Sequence, residues 1–250
     1  MTSQIKNRTA LVTGAARGLG NAIASELANN ANVAINYNSS REAAERLRSD
    51  IEGRGGHAAI FQADVRNEQE VARLVADVSA TFRPVDILVV NATGPQPFYS
   101  IEEQTWENYL QQLEFFVKSP LLLLKQVLPA MKKQRFGRII QIGSEAFELG
   151  NPRFANYVAA KGAQLGLTRS WARELAPDGI TVNLVAPGWI PTERHAGTPI
   201  EELEAYRRLV PMQKMGEGAD VAKMVAYLAS DAAGFITGQR FSVNGGNTLS

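Results

Sequence analysis

Tyr157 and Lys161 are four residues apart in a stretch of helical character, and Ser144 stands thirteen positions before the tyrosine. Residues at this spacing share one face of a helix, so the phenol and the ammonium would lie side by side. An ammonium beside a phenol stabilises the phenolate and lowers the pKa of the tyrosine from its usual value of about 10. Such a tyrosine can exchange a proton with an alcohol or carbonyl oxygen, to which Ser144 would give a second hydrogen bond. The same spacing also occurs on ordinary amphipathic helices, so the interpretation depends on the rest of the chain.

A glycine-rich turn near the N-terminus supports the chemical interpretation. It reads Thr13-Gly14-Ala15-Ala16-Arg17-Gly18-Leu19-Gly20, follows a predicted strand and opens a predicted helix. Glycines in this context allow the backbone to approach a pyrophosphate, which binds at the positive end of the helix. The alternative is a glycine-rich loop without a ligand. We predict a bound dinucleotide, with contacts from Gly14, Arg17, Gly18, Leu19 and Gly20.

The end of the second predicted strand favours NADP(H) over NAD(H). An acidic residue there would bind the free ribose 2′-hydroxyl, but no carboxylate occurs before Glu42. Charge and hydrogen bonds for a 2′-phosphate are instead available from Arg17, Asn38, Ser39, Ser40 and Arg41. The two serines and Arg41 also fit a helix N-cap followed by a solvated arginine, and both interpretations can hold together. Asp64 and Val65 are predicted to contact the adenine, although a lone aspartate is equally typical of a turn.

Short β-rich runs alternate with helical stretches along the chain, which predicts βαβ units. The apolar character of the fourth run indicates a strand buried on both faces. We predict an α/β fold, a Rossmann-type doubly wound parallel sheet of about seven strands with helices on both faces, in a single domain over residues 1–250. The strands are predicted at 9–13, 32–36, 57–61, 85–90, 138–142, 180–184 and 239–243, and the helices at 21–29, 41–53, 68–82, 105–133 and 157–175.

Two stretches depart from this regular alternation. Pro120 is expected to kink the long helix predicted at 105–133. Residues 188–218 contain several prolines and glycines around one helical piece, Ile200–Leu209. Irregular insertions after the carboxyl end of a strand are where α/β enzymes place substrate loops. We predict a substrate loop or lid over about 188–218, the alternative being a surface loop without function.

The composition narrows the class of partner. The chain has 250 residues, a formal net charge of +1, two histidines and no cysteine. This balance does not favour nucleic acid or a membrane surface as partner, and no metal site or thiol nucleophile is expected. The polar N-terminus has no apolar signal region, so we expect a cytoplasmic protein.

Taken in order, several motifs resemble the short-chain dehydrogenase/reductase family over essentially the whole chain. They are Thr13–Gly20, Asn91-Ala92-Thr93-Gly94, Ser144, Tyr157 with Lys161, Asn183, Pro187-Gly188 with Thr192, and Val243–Gly246. The resemblance implies that Ser144 and Tyr157 bind the reacting oxygen and that Tyr157 and Lys161 also contact the cofactor. It implies that the nicotinamide end is held by Pro187, Gly188, Ile190 and Thr192, and the middle of the cofactor by Asn91, Ala92 and Thr93.

Within that family, the chain looks most similar to the 3-oxoacyl-[acyl-carrier-protein] reductases, in the segments 36–40, 131–140 and 169–175. In such enzymes, arginines corresponding to Arg135 and Arg173 dock the acidic carrier protein. Here Arg173 also fits an intrahelical ion pair and Arg135 a solvated charge. The family usually has an asparagine in the helix before strand five, which relays protons from the lysine. Counting from either side reaches Phe116 or Leu113, and the segment 113–117 has no asparagine.

The leading functional prediction is an NADP(H)-dependent oxidoreductase that transfers a hydride between nicotinamide and a carbonyl or secondary alcohol, including 3-oxoacyl-thioester reduction. The alternatives are a sugar, polyol or other secondary-alcohol dehydrogenase, and a nucleotide-binding regulatory protein that has lost turnover. An apolar pocket wall, which disfavours sugars, is predicted from Phe98, Tyr99, Phe147 and Trp189, although aromatic residues are equally typical of ordinary packing. The family implies a homotetramer, for which Phe115, Phe116 and Leu121–Leu124 would supply apolar surface, although these residues could equally be core.

Overall fold

A computed structural model of the protein, which describes residues 7–249, contains one sheet of seven parallel strands in the order β3-β2-β1-β4-β5-β6-β7. The predicted doubly wound parallel sheet is confirmed. The strands are β1 (Thr9–Val12), β2 (Asn32–Tyr37), β3 (His57–Gln62), β4 (Ile87–Val90), β5 (Gly137–Ile142), β6 (Ile180–Pro187) and β7 (Arg240–Val243).

Helices cover both faces of this sheet, so its central strands are buried on both sides. The helices are α1 (Gly18–Leu27), α2 (Arg41–Gly53), α3 (Glu68–Thr81), α4 (Trp106–Leu113), α5 (Ser119–Gln134), α6 (Ala146–Leu149), α7 (Ala155–Leu175), α8 (Ile200–Leu209) and α9 (Gly218–Ala229). One apolar core lies under α1, α2 and α9 and includes Ile23 and Leu47. The other lies under α3, α5 and α7 and includes Leu74 and Leu123.

The long helix predicted at 105–133 is two helices, α4 and α5, joined by a π-helical turn at Glu114–Lys118. The Ser119 N–H donates to the Glu114 carbonyl, five residues back, instead of four. Pro120 follows this π turn, in the first turn of α5, and the kink expected there stays a prediction. Proline has no N–H to donate to a preceding carbonyl, so the π turn lies where the regular helical hydrogen bonds are interrupted.

The order of the strands reverses at β1, which lies between β2 and β4. At such a point the connections leave the carboxyl ends of neighbouring strands in opposite directions and open a crevice. The glycine turn follows β1 and Asn91 follows β4, so both lie at the rim of this crevice. The predicted substrate loop contains a 3₁₀ turn at Glu193–His195 and α8, whose bounds agree with the prediction. Within residues 7–249, no helix has the length and apolar character needed to span a membrane.

Candidate active site

Ser144, Tyr157 and Lys161 lie at the carboxyl end of β5 and in the first two turns of α7. Tyr157 and Lys161 are buried, at 7% and 5% exposed. The Ser144 hydroxyl accepts the N–H of Ala146 at 3.1 Å, which orients it at the start of α6. The Tyr157 ring stacks on Phe154 at 4.5 Å between ring centroids and meets the edge of another aromatic ring, Phe116, at 5.5 Å.

The sequence predicts a lowered pKa for the Tyr157 phenol, and the structure gives the opposite direction. Burial raises its pKa to about 12, partly opposed by the Ser144 hydroxyl and the charge of Arg194. Lys161 does not act on the phenol as expected, because Nζ donates to the Ile142 carbonyl at 2.7 Å and to Gln164 Oε1 at 3.2 Å. Burial also lowers the pKa of the lysine well below its ordinary value.

Phe116, one of the two positions that counting gives for the relay asparagine, lies against Lys161. Its ring centroid is 3.7 Å from Lys161 Nζ, a cation–π contact in a site shielded from water. Phe116 is 2% exposed and Leu122, Leu123 and Leu124 are also buried, whereas Leu121 is 45% exposed. Of the two interpretations of Phe116, interface surface or core, the structure gives a core position.

The glycine turn is packed so closely that side chains would not fit. A Cβ on Gly20 would clash with the Gly14 carbonyl and lie 2.6 Å from Asn91 Nδ2, and Gly14 has φ +60°. The Gly18 N–H, at the start of α1, donates to the Glu193 carboxylate at 3.1 Å. A carboxylate at this helix end shows that the turn accepts an anion, so its residues fit the pyrophosphate of a dinucleotide.

Two residues of this region that sequence reasoning did not assign to the site brace the turn. Asn36 is 1% exposed; its Oδ1 accepts the Gly14 N–H at 3.2 Å and its Nδ2 donates to the Ala63 carbonyl at 3.1 Å. The Thr13 hydroxyl accepts the N–H groups of Asn91 and Ala92 and donates to the Val89 carbonyl. An asparagine inside an otherwise apolar strand was the available signal for the first of these.

Of the residues predicted for the 2′-phosphate, those from Asn38 to Arg41 follow β2, and Arg17 lies in the turn after the adjacent strand β1. Arg17, Asn38, Ser39 and Arg41 are exposed, Ser40 is half-buried, and Arg41 pairs with Glu45 at 2.9 Å. Ser40 occupies the N-cap position of α2, as the N-cap interpretation expects, but its side chain makes no capping hydrogen bond.

The residues predicted for the adenine are partly engaged by their own loop. The Asp64 carboxylate forms a salt bridge to Arg66 at 2.7 Å, and this hydrogen-bonded pair lowers the pKa of Asp64. Val65 is 3% exposed with its side chain in the core, which leaves its backbone for a ligand. Their contact with an adenine stays a prediction.

The loop predicted for the nicotinamide end lies against the glycine turn. A Cβ on Gly18 would be 3.4 Å from the Thr192 methyl carbon. The Gly188 N–H donates to the Val243 carbonyl at 3.0 Å, and Ile190 is buried at 5% exposed. The structure thus brings the Pro187–Thr192 segment and Gly14–Gly20 to the same side of the sheet as Ser144.

The predicted aromatic wall is present only in part. Phe98 stacks on Phe154 at 4.3 Å, which extends the ring column that ends on Tyr157. Trp189 contacts Tyr206 edge-on at 5.4 Å. Phe147 packs over Gly162 of α7, where a Cβ would be 2.7 Å from its ring. Tyr99 is linked to the segment before α7 through its backbone, because its N–H donates to the Arg153 carbonyl.

Arg135 and Arg173 lie near the amino ends of the strands, whereas Ser144 lies at their carboxyl ends. Arg135 precedes β5, whose six residues span about 20 Å, and Ser144 follows that strand. Arg173 is in the last turn of α7, about 24 Å along the helix from Tyr157. Both are exposed, and Arg135 donates to the Pro177 carbonyl.

A glycine turn that fits a pyrophosphate and a Ser-Tyr-Lys group at the same crevice define a nicotinamide-dependent oxidoreductase on a Rossmann-type sheet. Among the described residues 7–249, no group of three or more histidine, aspartate or glutamate side chains is placed to hold a metal.

Comparison with known proteins agrees with this class. The family model described as "Enoyl-(Acyl carrier protein) reductase" matches residues 14–248. The 3-oxoacyl-[acyl-carrier-protein] reductase FabG of Staphylococcus epidermidis is 40% identical over 243 residues, covering 96% of this chain and 98% of that protein. FabG of Haemophilus influenzae is 38% identical over 98% of this chain and 100% of its own length.

Two solved structures also match over nearly their full lengths. A double mutant of a short-chain dehydrogenase/reductase from Serratia marcescens has a TM-score of 0.91 at 33% identity, covering 98% of this chain and 99% of that chain. A protein described as a putative gluconate dehydrogenase from Agrobacterium tumefaciens has a TM-score of 0.93 at 28% identity, with 99% and 98% covered. This chain belongs to the short-chain dehydrogenase/reductase family.

Proposed function

We propose that this protein reduces the keto group of a 3-oxoacyl thioester with NADPH as the hydride donor. The observation that carries the proposal is the position of Ser144 and Tyr157 at the crevice that also holds the glycine turn and the Thr192 loop. Relatives of 40% identity named 3-oxoacyl-[acyl-carrier-protein] reductases support the substrate class.

The roles of the side chains follow from their surroundings. The bound cofactor would supply the hydride, held by Gly14–Gly20 at its pyrophosphate and by Pro187–Thr192 at its nicotinamide. The Ser144 hydroxyl donates a hydrogen bond to the carbonyl oxygen, where negative charge develops. Tyr157 donates the proton to the same oxygen. Its pKa, raised by burial to about 12, keeps the phenol protonated at neutral pH, which suits the direction of reduction.

The experiment that tests this proposal is NADPH oxidation with acetoacetyl-coenzyme A, a panel of simple ketones, and the reverse reaction with gluconate and polyols. We expect turnover with the thioester, and loss of at least about a thousandfold in Tyr157→Phe, with NADPH affinity retained. Near-normal turnover in Tyr157→Phe would refute the assigned role. NADPH binding without turnover on every substrate would support the alternative of a regulatory protein.

A sugar or polyol dehydrogenase is the second candidate, because one structural relative is described as a putative gluconate dehydrogenase. The ring column of Phe98, Phe154 and Tyr157 speaks against it, since a sugar would leave hydroxyl groups unpaired beside apolar rings. Gluconate oxidation faster than thioester reduction would decide for this candidate.

We propose NADP(H) rather than NAD(H), on the basis of the two exposed arginines near the end of β2 and the lack of a carboxylate there. Arg41→Ala should weaken NADPH binding by about tenfold and leave NADH binding unchanged. Arg46→Ala is the matched control, because Arg46 is an exposed arginine further along α2. Equal effects of Arg41→Ala on both cofactors would contradict the preference.

We propose acyl carrier protein as a partner and a homotetramer as the assembly. Arg135 and Arg173 lie at the opposite end of the strands from Ser144, so a carrier docked on them would serve a neighbouring subunit. Sedimentation velocity tests the assembly. For the partner, thioester reduction by Arg135→Ala and by the wild type is compared with carrier-linked and with coenzyme A-linked substrate. A monomer with full carrier-linked activity would contradict this assignment.

A further inference from the structure

Glu145, the residue after Ser144, is a buried carboxylate that the proposed chemistry does not use. It is 4% exposed. A carboxylate is retained in such a position only if donors satisfy it, since an isolated buried charge is costly. Its partners therefore indicate what it does.

The carboxylate binds donors from two distant parts of the chain. Tyr206, in α8 of the substrate loop, donates its hydroxyl proton to Glu145 Oε1 at 2.5 Å. Asn247, beyond β7, donates from Nδ2 to Oε2 at 3.2 Å. The Glu145 N–H also donates to the Pro187 carbonyl at 3.0 Å. One residue thus connects the end of β5, the end of β6, α8 and the C-terminal segment.

The Tyr206 hydroxyl reaches the loop predicted for the nicotinamide as well. It accepts the Trp189 N–H at 2.8 Å. It also lies so close to Gly188 that a Cβ there would be 2.6 Å from the oxygen. The hydroxyl therefore touches Glu145 on one side and Gly188–Trp189 on the other, and its position sets the distance between them.

α8 itself buries little apolar surface. None of the ten residues of α8, all within the described part of the chain, is buried, and the terminal Ile200 and Leu209 are 63% and 72% exposed. A helix with so little apolar burial opens easily unless specific hydrogen bonds retain it. The hydroxyl of Tyr206 provides two of these.

We propose that Glu145 and Tyr206 are positioning residues that hold α8 and the Gly188–Trp189 turn closed against Ser144. This inference rests on the proposed function insofar as that turn binds the nicotinamide. With the pair intact, the substrate loop closes over bound cofactor and substrate. Without it, α8 detaches while the sheet and the Ser-Tyr-Lys group keep their structure.

Limited trypsin digestion of the cofactor-free protein tests the pair without any assay of activity. Cleavage sites within or near α8 are Arg194, Arg207, Arg208 and Lys214. Loss of a hydrogen bond to a charged group corresponds to roughly tenfold in the opening equilibrium, so Tyr206→Phe should be cleaved there about ten times faster. Tyr227→Phe is the control, because Tyr227 is a half-exposed tyrosine on α9. Unchanged cleavage in Tyr206→Phe overturns the proposal, whether or not the enzyme reduces thioesters.

Kinetics separate positioning from general stability. In Tyr206→Phe, we expect the NADPH dissociation constant and the KM for the thioester to rise several-fold, with kcat within about twofold of the wild type. A merely structural role would lower the thermal midpoint and kcat with KM unchanged, which would refute the proposal.

A second variant, Glu145→Gln, keeps the shape of the side chain and should give a smaller effect. The double variant with Tyr206→Phe should be no worse than Tyr206→Phe alone, because the two residues act as one pair. Additive effects in the double variant would contradict the pairing.

Discussion

Replacing Phe116 with leucine tests whether the aromatic ring sustains the charge on Lys161. The ring centroid lies 3.7 Å from Nζ, and both side chains are buried. A desolvated cation–π contact contributes about 2 kcal/mol, and one pH unit corresponds to about 1.4 kcal/mol. Burial already lowers the pKa of this lysine, and loss of the ring will lower it further.

The sign of the effect follows from the protonation of Lys161. The family resemblance implies that the Lys161 ammonium contacts the cofactor, and a contact that needs this charge is present below the pKa of the lysine and lost above it. In Phe116→Leu, the alkaline limb of the kcat/KM profile for NADPH-dependent reduction should therefore move to lower pH by about one unit. The gap left by the smaller side chain should also lower the thermal midpoint by a few degrees, so the profile is measured well below that temperature.

Two neighbouring variants serve as controls. Phe116→Tyr keeps an aromatic ring over Nζ and should leave the limb in place. Phe115→Leu removes the adjacent ring, which faces Arg66 at 4.8 Å instead of Lys161, and should also leave it in place. A limb that stays fixed in Phe116→Leu, or that moves equally in Phe115→Leu, would refute the reasoning.

Three further predictions concern the glycine turn and the buried lysine. Glu193→Ala removes the carboxylate that binds the Gly18 N–H, so it should tighten NADPH binding about two- to fivefold in a fluorescence titration. The control Glu201→Ala, at an exposed glutamate of α8, should leave NADPH binding unchanged. Weaker binding in Glu193→Ala would show that the carboxylate assists the cofactor. Gly20→Ala places a Cβ against Asn91, so it should lower the thermal midpoint by several degrees and weaken NADPH binding at least about tenfold. The control Gly53→Ala has nothing near its Cβ and should change neither quantity. Equal effects of the two substitutions would exclude crowding as the cause. Because burial lowers the native pKa of Lys161 well below its ordinary value of 10.5, the unfolded chain binds more protons than the native protein between the native pKa and 10.5. The free energy of unfolding in urea should therefore rise as the pH approaches 10.5, and rise less in Lys161→Met; equal slopes in both proteins would contradict a depressed native pKa.

The parts of this protein that the sequence predicted are those set by local patterns. The seven strands follow from short apolar runs, and the glycine turn from its position between a strand and a helix. α9 lies outside the predicted helices, although its local pattern is clear: Glu217 and Asp220 form a capping box, and Val221, Val225 and Leu228 repeat at helical spacing.

The parts that could not be predicted depend on contacts between distant segments. The direction of the Lys161 side chain depends on the Ile142 carbonyl and on the ring of Phe116, which belong to other elements. The donors to Glu145 lie 61 and 102 residues away in the chain, and no spacing rule connects them. The pKa of Tyr157 was predicted from one neighbour, whereas burial by several rings dominates it.

The π turn at Glu114–Lys118 has a consequence for how this enzyme could change in evolution. Because each helical residue turns the chain by about 100°, the loss or gain of one residue in this turn would rotate α4 against α5 by that angle. A different side chain would then cover Lys161, while the strands, Ser144 and Tyr157 kept their positions. A single-codon insertion or deletion in this helix is therefore a short mutational route to a new lining of the active site, and substitution of the catalytic residues is not required.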